Sequence, residues 1–213
     1  MYSVKLYNCD FSKGYLSIRH TMRSGFLMPK TEATINIQNV VATATLNQRV
    51  DLSAIVKGCP GVEYRPQTFP GLVFRLKRPK TAILIFGTGK MVCTGARSGK
   101  ESRSAVMKVV SELKKCGIII PSKPSFKVVN IVASASLGGQ VDLEKMVVTL
   151  RRTMYEPEQF PGLVCRMDEP KVVILVFASG ALVITGAKKE QEVHEAVHKL
   201  QGSLEEQDLI FYK

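Results

Sequence analysis

The 213-residue sequence lacks the features that mark several large classes of protein. It contains no apolar run close to the roughly 20 residues that a membrane-spanning helix requires. Its first 30 residues carry charges throughout and include no apolar core, so we expect no secretory signal. Its five cysteines are far apart, odd in number and free of any C-x-x-C pair. That pattern argues against a structural zinc site or a disulfide framework and favours a reducing environment.

Acidic residues are scarce relative to basic ones, and unevenly so. The formal net charge is +12 and the isoelectric point is near 9.6. Residues 31 to 121 contain 14 Lys/Arg and 5 Asp/Glu, whereas residues 122 to 213 contain 11 and 12. This balance predicts a polyanionic partner, either a nucleic acid or an anionic membrane. The first half is the part expected to meet phosphate.

A long unit occurs twice in the chain. The sequence KTAILIFGTGKMVCTGA at residues 80–96 returns 91 positions later as KVVILVFASGALVITGA at residues 171–187. When residues 35–113 are compared with residues 126–204 at this offset, 32 of the 79 positions are identical. The chain therefore contains a duplication.

The duplication predicts a first repeat at 31–121 and a second repeat at 122–213, behind a loosely ordered extension at 1–30. Each repeat reads as a strand, a short helix, three or four antiparallel strands and a long helix, which is an α+β order. In the first repeat we expect the helices at Val50–Val56 and from Lys100 to about Lys115, where apolar residues recur at helical spacing.

The strands of the repeated hairpin are apolar at every position rather than at alternate positions. Both faces of the predicted sheet are therefore apolar, yet each repeat supplies only enough helix to cover one of them. The open edges of the two repeats would join most simply into a single antiparallel sheet. We expect a saddle-shaped, curved sheet with the helices on its convex face and a partner on the other face.

Residues at alternate strand positions share one face of this sheet. From the pattern alone, the face without helices is equally compatible with a second core layer or a dimer interface. Phe69 and Phe160 favour a binding site, because each lies in a loop between prolines where no core is available. With Phe86 and Phe177 they offer roughly 600–1,000 Å² of apolar area, more than the largest exposed patch of most monomers. The other residues of this face are Asn39, Val41, Thr43, Leu84, Val92, Thr94, Asn130, Val132, Ser134, Leu175, Val183 and Thr185.

Short motifs stand out along residues 34–211. They are QNVVAT at 38–43, NIVAS at 130–134, FPG at 69–71 and 160–162, YEPE at 155–158, TGA at 94–96 and TGAK at 185–188, with Arg75, Arg166, Pro79-Lys80 and Pro170-Lys171. Through these motifs the chain resembles the TATA-box-binding protein family, and the Phe-Pro-Gly of both repeats is similar to its archaeal branch. The resemblance implies a transcription initiation factor that binds the TATA box in the DNA minor groove, without catalytic activity or cofactor.

The resemblance also implies how the chain would meet DNA. An A·T minor groove presents acceptors and lacks the amine of guanine, so an apolar face with few donors suits it. The four phenylalanines would wedge into base steps and kink the duplex, while basic side chains neutralise phosphates. The residues expected to contact DNA are Asn39, Val41, Phe69, Arg75, Leu84, Phe86, Val92, Thr94, Arg97, Asn130, Val132, Phe160, Arg166, Leu175, Phe177, Val183, Thr185 and Lys188, with Lys80, Lys90 and Lys171 as further phosphate contacts.

The family's protein partners follow from the same resemblance. Glu156 and Glu158 match the acidic loop that engages transcription factor B, through which RNA polymerase is recruited. We expect the free chain to form a homodimer through the apolar face, in competition with DNA, and we expect no membrane partner. The expected location is the cytoplasm, at the nucleoid, for an archaeal chain, or the nucleus for a eukaryotic one.

Two positions break the symmetry of the predicted DNA contact. Val129 stands where the first repeat has Gln38, and Ala181 stands where it has Lys90. The second repeat would therefore make fewer polar contacts to DNA, so the two half-sites need not be equivalent.

A competing chemistry comes from residues 194–198, which read HEAVH and match the H-E-x-x-H spacing of zinc hydrolases. A zinc-dependent hydrolase using His194, Glu195 and His198 is therefore the alternative function. The equivalent turn of the first repeat, at residues 103–107, has no ligand, and the acids that follow His198 are poor third ligands. We expect neither a metal nor a catalytic residue.

Overall fold

The computed structural model describes residues 32–212 of the chain. The predicted extension at 1–30, which contains Cys9, lies outside the described residues. Within the described part, which has twelve strands and four helices, the α+β prediction is confirmed, because ten of the strands and all four helices follow an order that occurs twice. The elements are β1 (Thr34–Thr45), α1 (Leu52–Gly58), β2 (Glu63–Tyr64), β3 (Leu72–Leu76), β4 (Thr81–Ile85), β5 (Lys90–Ala96), α2 (Gly99–Lys115), β6 (Ser125–Ser136), β7 (Gly139–Val141), α3 (Leu143–Thr149), β8 (Thr153–Met154), β9 (Leu163–Met167), β10 (Val172–Val176), β11 (Ala181–Ala187), α4 (Glu190–Glu206) and β12 (Ile210–Tyr212).

The long helix α2 is capped by a serine at its start and followed by a glycine at its end. The Ser98 side chain accepts a hydrogen bond from the backbone N–H of Glu101, and the Glu101 carboxylate accepts one from the N–H of Arg97. These reciprocal bonds satisfy donors that the first turn would otherwise leave unpaired. Gly117, at a φ of +85°, follows the helix in a conformation that glycine adopts without steric cost. The apolar side of α2 is buried at Ala105, Val106, Val109, Val110 and Leu113.

One antiparallel sheet joins the two repeats. Among the described residues it has ten strands in the order β2-β3-β4-β5-β1-β6-β11-β10-β9-β8. Strands β1 and β6 pair along their whole length, from Thr34 opposite Ser136 to Thr45 opposite Ser125. The sheet is therefore continuous across the centre, as the open-edge argument predicted.

The helices cover one face of this sheet. In β4 and β5, Ile83, Ile85, Met91 and Cys93 are fully buried and belong to the same core cluster as the apolar residues of α1 and α2. The alternate residues of the same strands, such as Leu84, stay partly exposed. The second repeat has a corresponding cluster under α3 and α4. The predicted division into a helix-covered register and an uncovered register is thus observed.

The structure contains one disulfide, which the argument against a disulfide framework did not anticipate. Cys59 and Cys116 are bonded across a separation of 57 residues, with their Cα atoms 5.5 Å apart. The sequence spacing concealed this pair because the ends of α1 and α2 meet only in the fold. The equivalent positions of the second repeat are Leu150 and Gln207. Cys93 and Cys165 are free and buried.

Two smaller features also differ from expectation. Helix α1 begins at Leu52 rather than Val50, because the Asp51 side chain caps it by accepting the N–H of Ser53. Strands β7 and β12 form an additional two-stranded sheet that the sequence pattern did not predict. In the part of the chain that the structure describes, no helix is long and apolar enough to cross a membrane.

Candidate nucleic-acid interface

The face of the sheet opposite the helices, called here the open face, carries the predicted binding residues. Those on the strands are half-buried, whereas alternate residues of the same strands, such as Val40, Ile83 and Ile184, are fully buried in the cores on the helix side. No described helix packs over them, so the open face is not a second core layer. Its strand residues are Asn39, Val41, Leu84, Val92 and Thr94 in the first repeat and Asn130, Val132, Leu175, Val183 and Thr185 in the second.

Each repeat presents one pair of phenylalanine rings. Phe69 and Phe86 have ring centroids 5.8 Å apart and planes inclined at 66°, and Phe160 and Phe177 are 5.9 Å apart at the same angle. Phe69 is 37% exposed and Phe160 is 39% exposed. Edge-to-face contact of this kind fixes the relative positions of the two rings. Two equivalent pairs of aromatic rings are therefore partly exposed to solvent.

A glycine next to each pair makes this ring geometry attainable. A Cβ atom at Gly71 would lie 2.6 Å from Cε1 of Phe69 and 3.0 Å from Cε1 of Phe86. The corresponding distances at Gly162 are 2.6 Å to Phe160 and 3.0 Å to Phe177. The Phe-Pro-Gly motif flagged these glycines, but only the structure shows that any side chain there would displace the rings.

The two asparagines of the open face are oriented by the backbone. Oδ1 of Asn39 accepts the N–H of Gly95 at 2.8 Å, and Oδ1 of Asn130 accepts the N–H of Gly186 at 2.7 Å. The amide nitrogens are then turned toward Thr94 Oγ1 at 3.2 Å and Thr185 Oγ1 at 3.3 Å. An amide nitrogen has two N–H groups. Each asparagine can therefore hold one donor for a ligand at a fixed place on an otherwise apolar surface.

Basic side chains flank the open face. Arg75 lines a groove with Gln38, Asn39 and Lys80, and Arg166 lines the equivalent groove with Lys171 and Lys188. The predicted phosphate contacts are all exposed, at Arg75, Lys80, Lys90, Arg97, Arg166, Lys171 and Lys188.

The structure adds two contacts that the sequence analysis missed. Arg75 forms an ion pair with Glu63, with Nε and Oε1 2.9 Å apart, and this cation lowers the pKa of the Glu63 carboxyl. Gln38 donates from Nε2 to Oγ of Ser134 at 2.7 Å, so its amide reaches across to the second repeat. Each contact joins side chains of two different strands, which sequence spacing alone did not bring together.

Glu156 and Glu158 lie in an exposed turn before Phe160. The carbonyl of Glu156 accepts the N–H groups of Gln159 and Phe160 at 3.0 Å each. This backbone bonding holds the two carboxylates on an ordered turn rather than on a free loop.

The H-E-x-x-H motif lies on the exposed side of α4. His194, Glu195 and His198 face solvent there, together with Gln191 and Lys199. Across residues 32–212 no group of three or more His, Cys, Asp or Glu residues is placed to hold a metal ion. The motif thus has no third protein ligand among the described residues, which a zinc hydrolase needs.

Comparison with known proteins identifies the fold and the family. The family model described as transcription factor TFIID, or TATA-binding protein, matches the chain twice, at residues 34–116 and 125–207. The chain belongs to the TATA-binding protein family. The prediction made from the repeated motifs is confirmed, and the chain is accordingly a DNA-binding transcription factor rather than an enzyme. The alternative of a zinc-dependent hydrolase is therefore wrong.

Archaeal members of the family are among its relatives. A TATA-box-binding protein of Sulfolobus acidocaldarius is 53% identical over 84% of this chain and 91% of its own length. One from Pyrodictium occultum is 56% identical over 80% of this chain and 86% of its own. The solved structure of the Methanococcus jannaschii TBP has a TM-score of 0.75 and 45% identity, covering 81% of this chain and 98% of the other. The predicted curved antiparallel sheet built from two tandem repeats is the fold of this family.

Proposed function

We propose that the chain is a general transcription initiation factor that binds an A·T-rich promoter box through its open face, in the minor groove. The observation that carries this proposal is the matched pair of phenylalanine wedges beside an apolar surface. Contiguous exposed apolar surface of this kind marks a site of interaction. Archaeal relatives support a place of action at the nucleoid.

The minor groove fits the donor pattern of the open face. The floor of an A·T groove offers only the acceptors N3 of adenine and O2 of thymine. Asn39 and Asn130 would donate to these acceptors, and Thr94 and Thr185 would pack beside them. A G·C pair would place the guanine amine against Val41 or Val132, where no acceptor is available, and a buried unpaired donor costs about 1–3 kcal/mol. The open face would therefore select A·T pairs.

The two wedges would deform the duplex. Phe69 with Phe86, and Phe160 with Phe177, would each insert between adjacent base pairs. Unstacking costs a few kcal/mol per step, which the additional surface contacted on bending offsets. Basic residues such as Arg75 and Arg166 would neutralise flanking phosphates, and binding would weaken with salt in proportion to the number of such contacts.

The acidic turn would recruit the next factor. We propose that Glu156 and Glu158 contact transcription factor B, which then brings RNA polymerase to the promoter. The equivalent residues of the first repeat are Arg65 and Gln67, on a turn with the same backbone hydrogen bonds. The negative charge is thus specific to one end, as a partner that binds once per complex requires. A Glu156→Arg variant should bind DNA but form no ternary complex with transcription factor B in a gel-shift assay, and unaltered assembly would refute the assignment.

The free chain would use the same surface for self-association. We propose that the open faces of two copies bury each other until DNA replaces one of them. Sedimentation should show a dimer that dissociates when a TATA duplex is added. A dimer that persists on DNA would place the contact elsewhere.

Bending tests the wedge assignment. A duplex with an A·T box and dyes at both ends should show increased energy transfer when the protein binds. Phe160→Ala and Phe177→Ala should each reduce affinity and energy transfer together. Phe211→Ala is the matched control, because this ring is 57% exposed but belongs to β12, outside the open face. Unchanged energy transfer with the first two variants would exclude insertion.

A further inference from the structure

The turns beside the open face have equivalent backbones and opposite charges in the two repeats. The turn before Phe69 is closed by the carbonyl of Arg65, which accepts the N–H of Phe69 at 2.9 Å; in the second repeat the carbonyl of Glu156 accepts the N–H of Phe160 at 3.0 Å. Arg65 and Glu156 are both exposed. The backbone is kept, but the side chain changes from cation to anion.

The turn before the hairpin shows the same inversion. The peptide bonds Arg78–Pro79 and Glu169–Pro170 are both cis. The carbonyl of Arg78 accepts from Nζ of Lys108 at 2.9 Å, and that of Glu169 accepts from Nζ of Lys199 at 2.8 Å. The preceding residues are Lys77 in the first repeat and Asp168 in the second, and all four turn side chains are exposed.

The hairpin turn itself loses a charge in the second repeat. The N–H of Phe86 donates to the carbonyl of Lys90 at 2.9 Å, and the N–H of Phe177 donates to the carbonyl of Ala181 at 3.0 Å. Lys90 therefore lies directly opposite one wedge phenylalanine. The other wedge has a methyl group at the equivalent place.

The difference in charge between the two repeats remains when every charged residue around these turns is counted. Residues 60 to 90 contain six Lys/Arg and one acid, the Glu63 that pairs with Arg75. Residues 151 to 181 contain four Lys/Arg and four acids, and Arg152 forms an ion pair with Asp168. The three turns of the first repeat thus present a strong excess of cations, whereas those of the second are balanced.

The first repeat also carries a polar side chain on the open face that the second repeat lacks. The amide of Gln38 reaches Ser134, whereas Val129 occupies the equivalent position of the second repeat and its side chain can offer no donor. The two repeats therefore differ in the polar side chains of the open face as well as in the charge of their turns.

We infer that the two repeats hold DNA unequally, so that the first repeat anchors the complex and the flank with more phosphate charge decides the orientation of the protein. This inference rests on the proposed DNA-binding function. The second repeat, with its balanced turns, contributes its wedge and apolar contacts but fewer phosphate contacts than the first. Orientation on a box that reads the same in both directions would then depend on the flanks alone.

A duplex with one neutral flank tests this inference. The box is self-complementary A·T sequence, and methylphosphonate linkages replace the phosphates of one flank only. A donor dye is attached at Met107→Cys in a Cys9→Ser background, and an acceptor at the charged end of the DNA. His198→Cys is the matched position in the second repeat, and both parent residues are exposed on their helices. The buried Cys93 and Cys165 are shielded from the dye.

The first repeat is expected to lie over the charged flank. The dye at 107 should then give high energy transfer and the dye at 198 low energy transfer. The ratio of the two orientations should fall about three- to fourfold per phosphate contact when salt rises from 50 to 200 mM. Exchanging the charges, with K90A, A181K, R65E and E156R combined, should bring the two orientations close to equal at unchanged net charge.

The outcomes separate the inference from the proposed function. Equal energy transfer from both dye positions, with binding and bending retained, would overturn the inference and leave the function intact. A bias that stays as strong in the charge-exchanged variant as in the parent would also overturn the assignment to these turns. Absence of binding to every A·T duplex would instead overturn the proposed function.

Discussion

Asn130 and Gly186 are joined by a hydrogen bond of 2.7 Å from the glycine N–H to the asparagine Oδ1. The bond determines which end of the amide points toward the open face, because the oxygen is already engaged. Gly186 holds a φ of +101°, a conformation that glycine adopts without steric cost. Asn39 and Gly95 repeat the arrangement 91 residues earlier. The donors of the open face are therefore set by backbone geometry before DNA arrives.

Replacing Asn130 with aspartate should put a hydrogen-bond acceptor where the amide N–H donor now stands. The carboxylate can still accept the N–H of Gly186, so we expect the fold to be retained. Its second oxygen would face the acceptors of an A·T groove and the nearby phosphates. DNA affinity should fall by about tenfold or more, because one hydrogen bond is lost and the carboxylate is repelled by the acceptors and phosphates that it faces. Fluorescence anisotropy with an A·T duplex measures the change, and circular dichroism checks the fold. Undiminished affinity would remove Asn130 from the interface.

The glycine next to each phenylalanine pair leads to a second prediction, which concerns DNA bending. Gly162→Ala would bring a methyl group against Phe160 and Phe177, and we expect the rings to separate. DNA bending should decrease more than DNA affinity, because the basic residues that would contact the phosphates are unchanged. Gly202→Ala in α4 is the control, since a Cβ there has nothing within 4 Å. If Gly162→Ala bends DNA normally, the ring pair does not require the observed geometry.

The ion pair between Glu63 and Arg75 predicts a gain of affinity. Glu63→Gln frees the guanidinium for phosphate, and DNA binding should strengthen about two- to fivefold, the range of an exposed ion pair. Because Arg75 lowers the pKa of Glu63, the wild-type carboxyl stays charged until the pH falls below its usual range. The two proteins should converge only under that acidic condition.

The opposite change, in which an ion pair is introduced, can be made in the second repeat. Met154 is the equivalent of Glu63, so Met154→Glu should weaken binding by pairing with Arg166. Salt-dependent titrations at several pH values would measure both effects. Weaker binding by Glu63→Gln would show that the carboxylate positions Arg75 rather than competing with DNA.

The disulfide predicts a redox-dependent stability that is separate from DNA binding. Closing a loop of 57 residues stabilises the fold by about 4 kcal/mol in the chain-entropy description. Reduction, or Cys59→Ser with Cys116→Ser, should lower the thermal midpoint of unfolding. DNA affinity at moderate temperature should be unaffected, because both cysteines lie at helix ends on the covered side of the sheet. A loss of affinity without a loss of stability would contradict this separation.

The sequence predicted what depends on periodicity and duplication. Alternation in β4 and β5 assigned Ile83 and Leu84 to opposite faces, and the structure buries only the first. The repeated proline-flanked phenylalanines indicated exposed rings, which the structure shows. Such patterns are local, because a residue's face in a strand follows from its neighbours.

The features that were missed depend on pairing between distant segments. Cys59 meets Cys116 only because two helix ends converge, and Glu63 meets Arg75 only because β2 pairs with β3. The role of Gly71 required the ring positions to be known. Sequence spacing carries no signal for contacts of this kind, because the fold has to form before the partners become neighbours.

A single base-pair substitution tests the central claim most directly. Inosine pairs with cytosine but lacks the minor-groove amine of guanine, while its major-groove edge matches that of guanine. We compare the affinity of the protein for an A·T box with that for boxes in which one central pair is I·C or G·C, at one stated salt concentration. The account predicts that I·C is bound nearly as tightly as A·T, and that G·C loses about 1–3 kcal/mol. If I·C is bound as weakly as G·C, the protein does not read the minor groove, and the open face is not its DNA-binding surface.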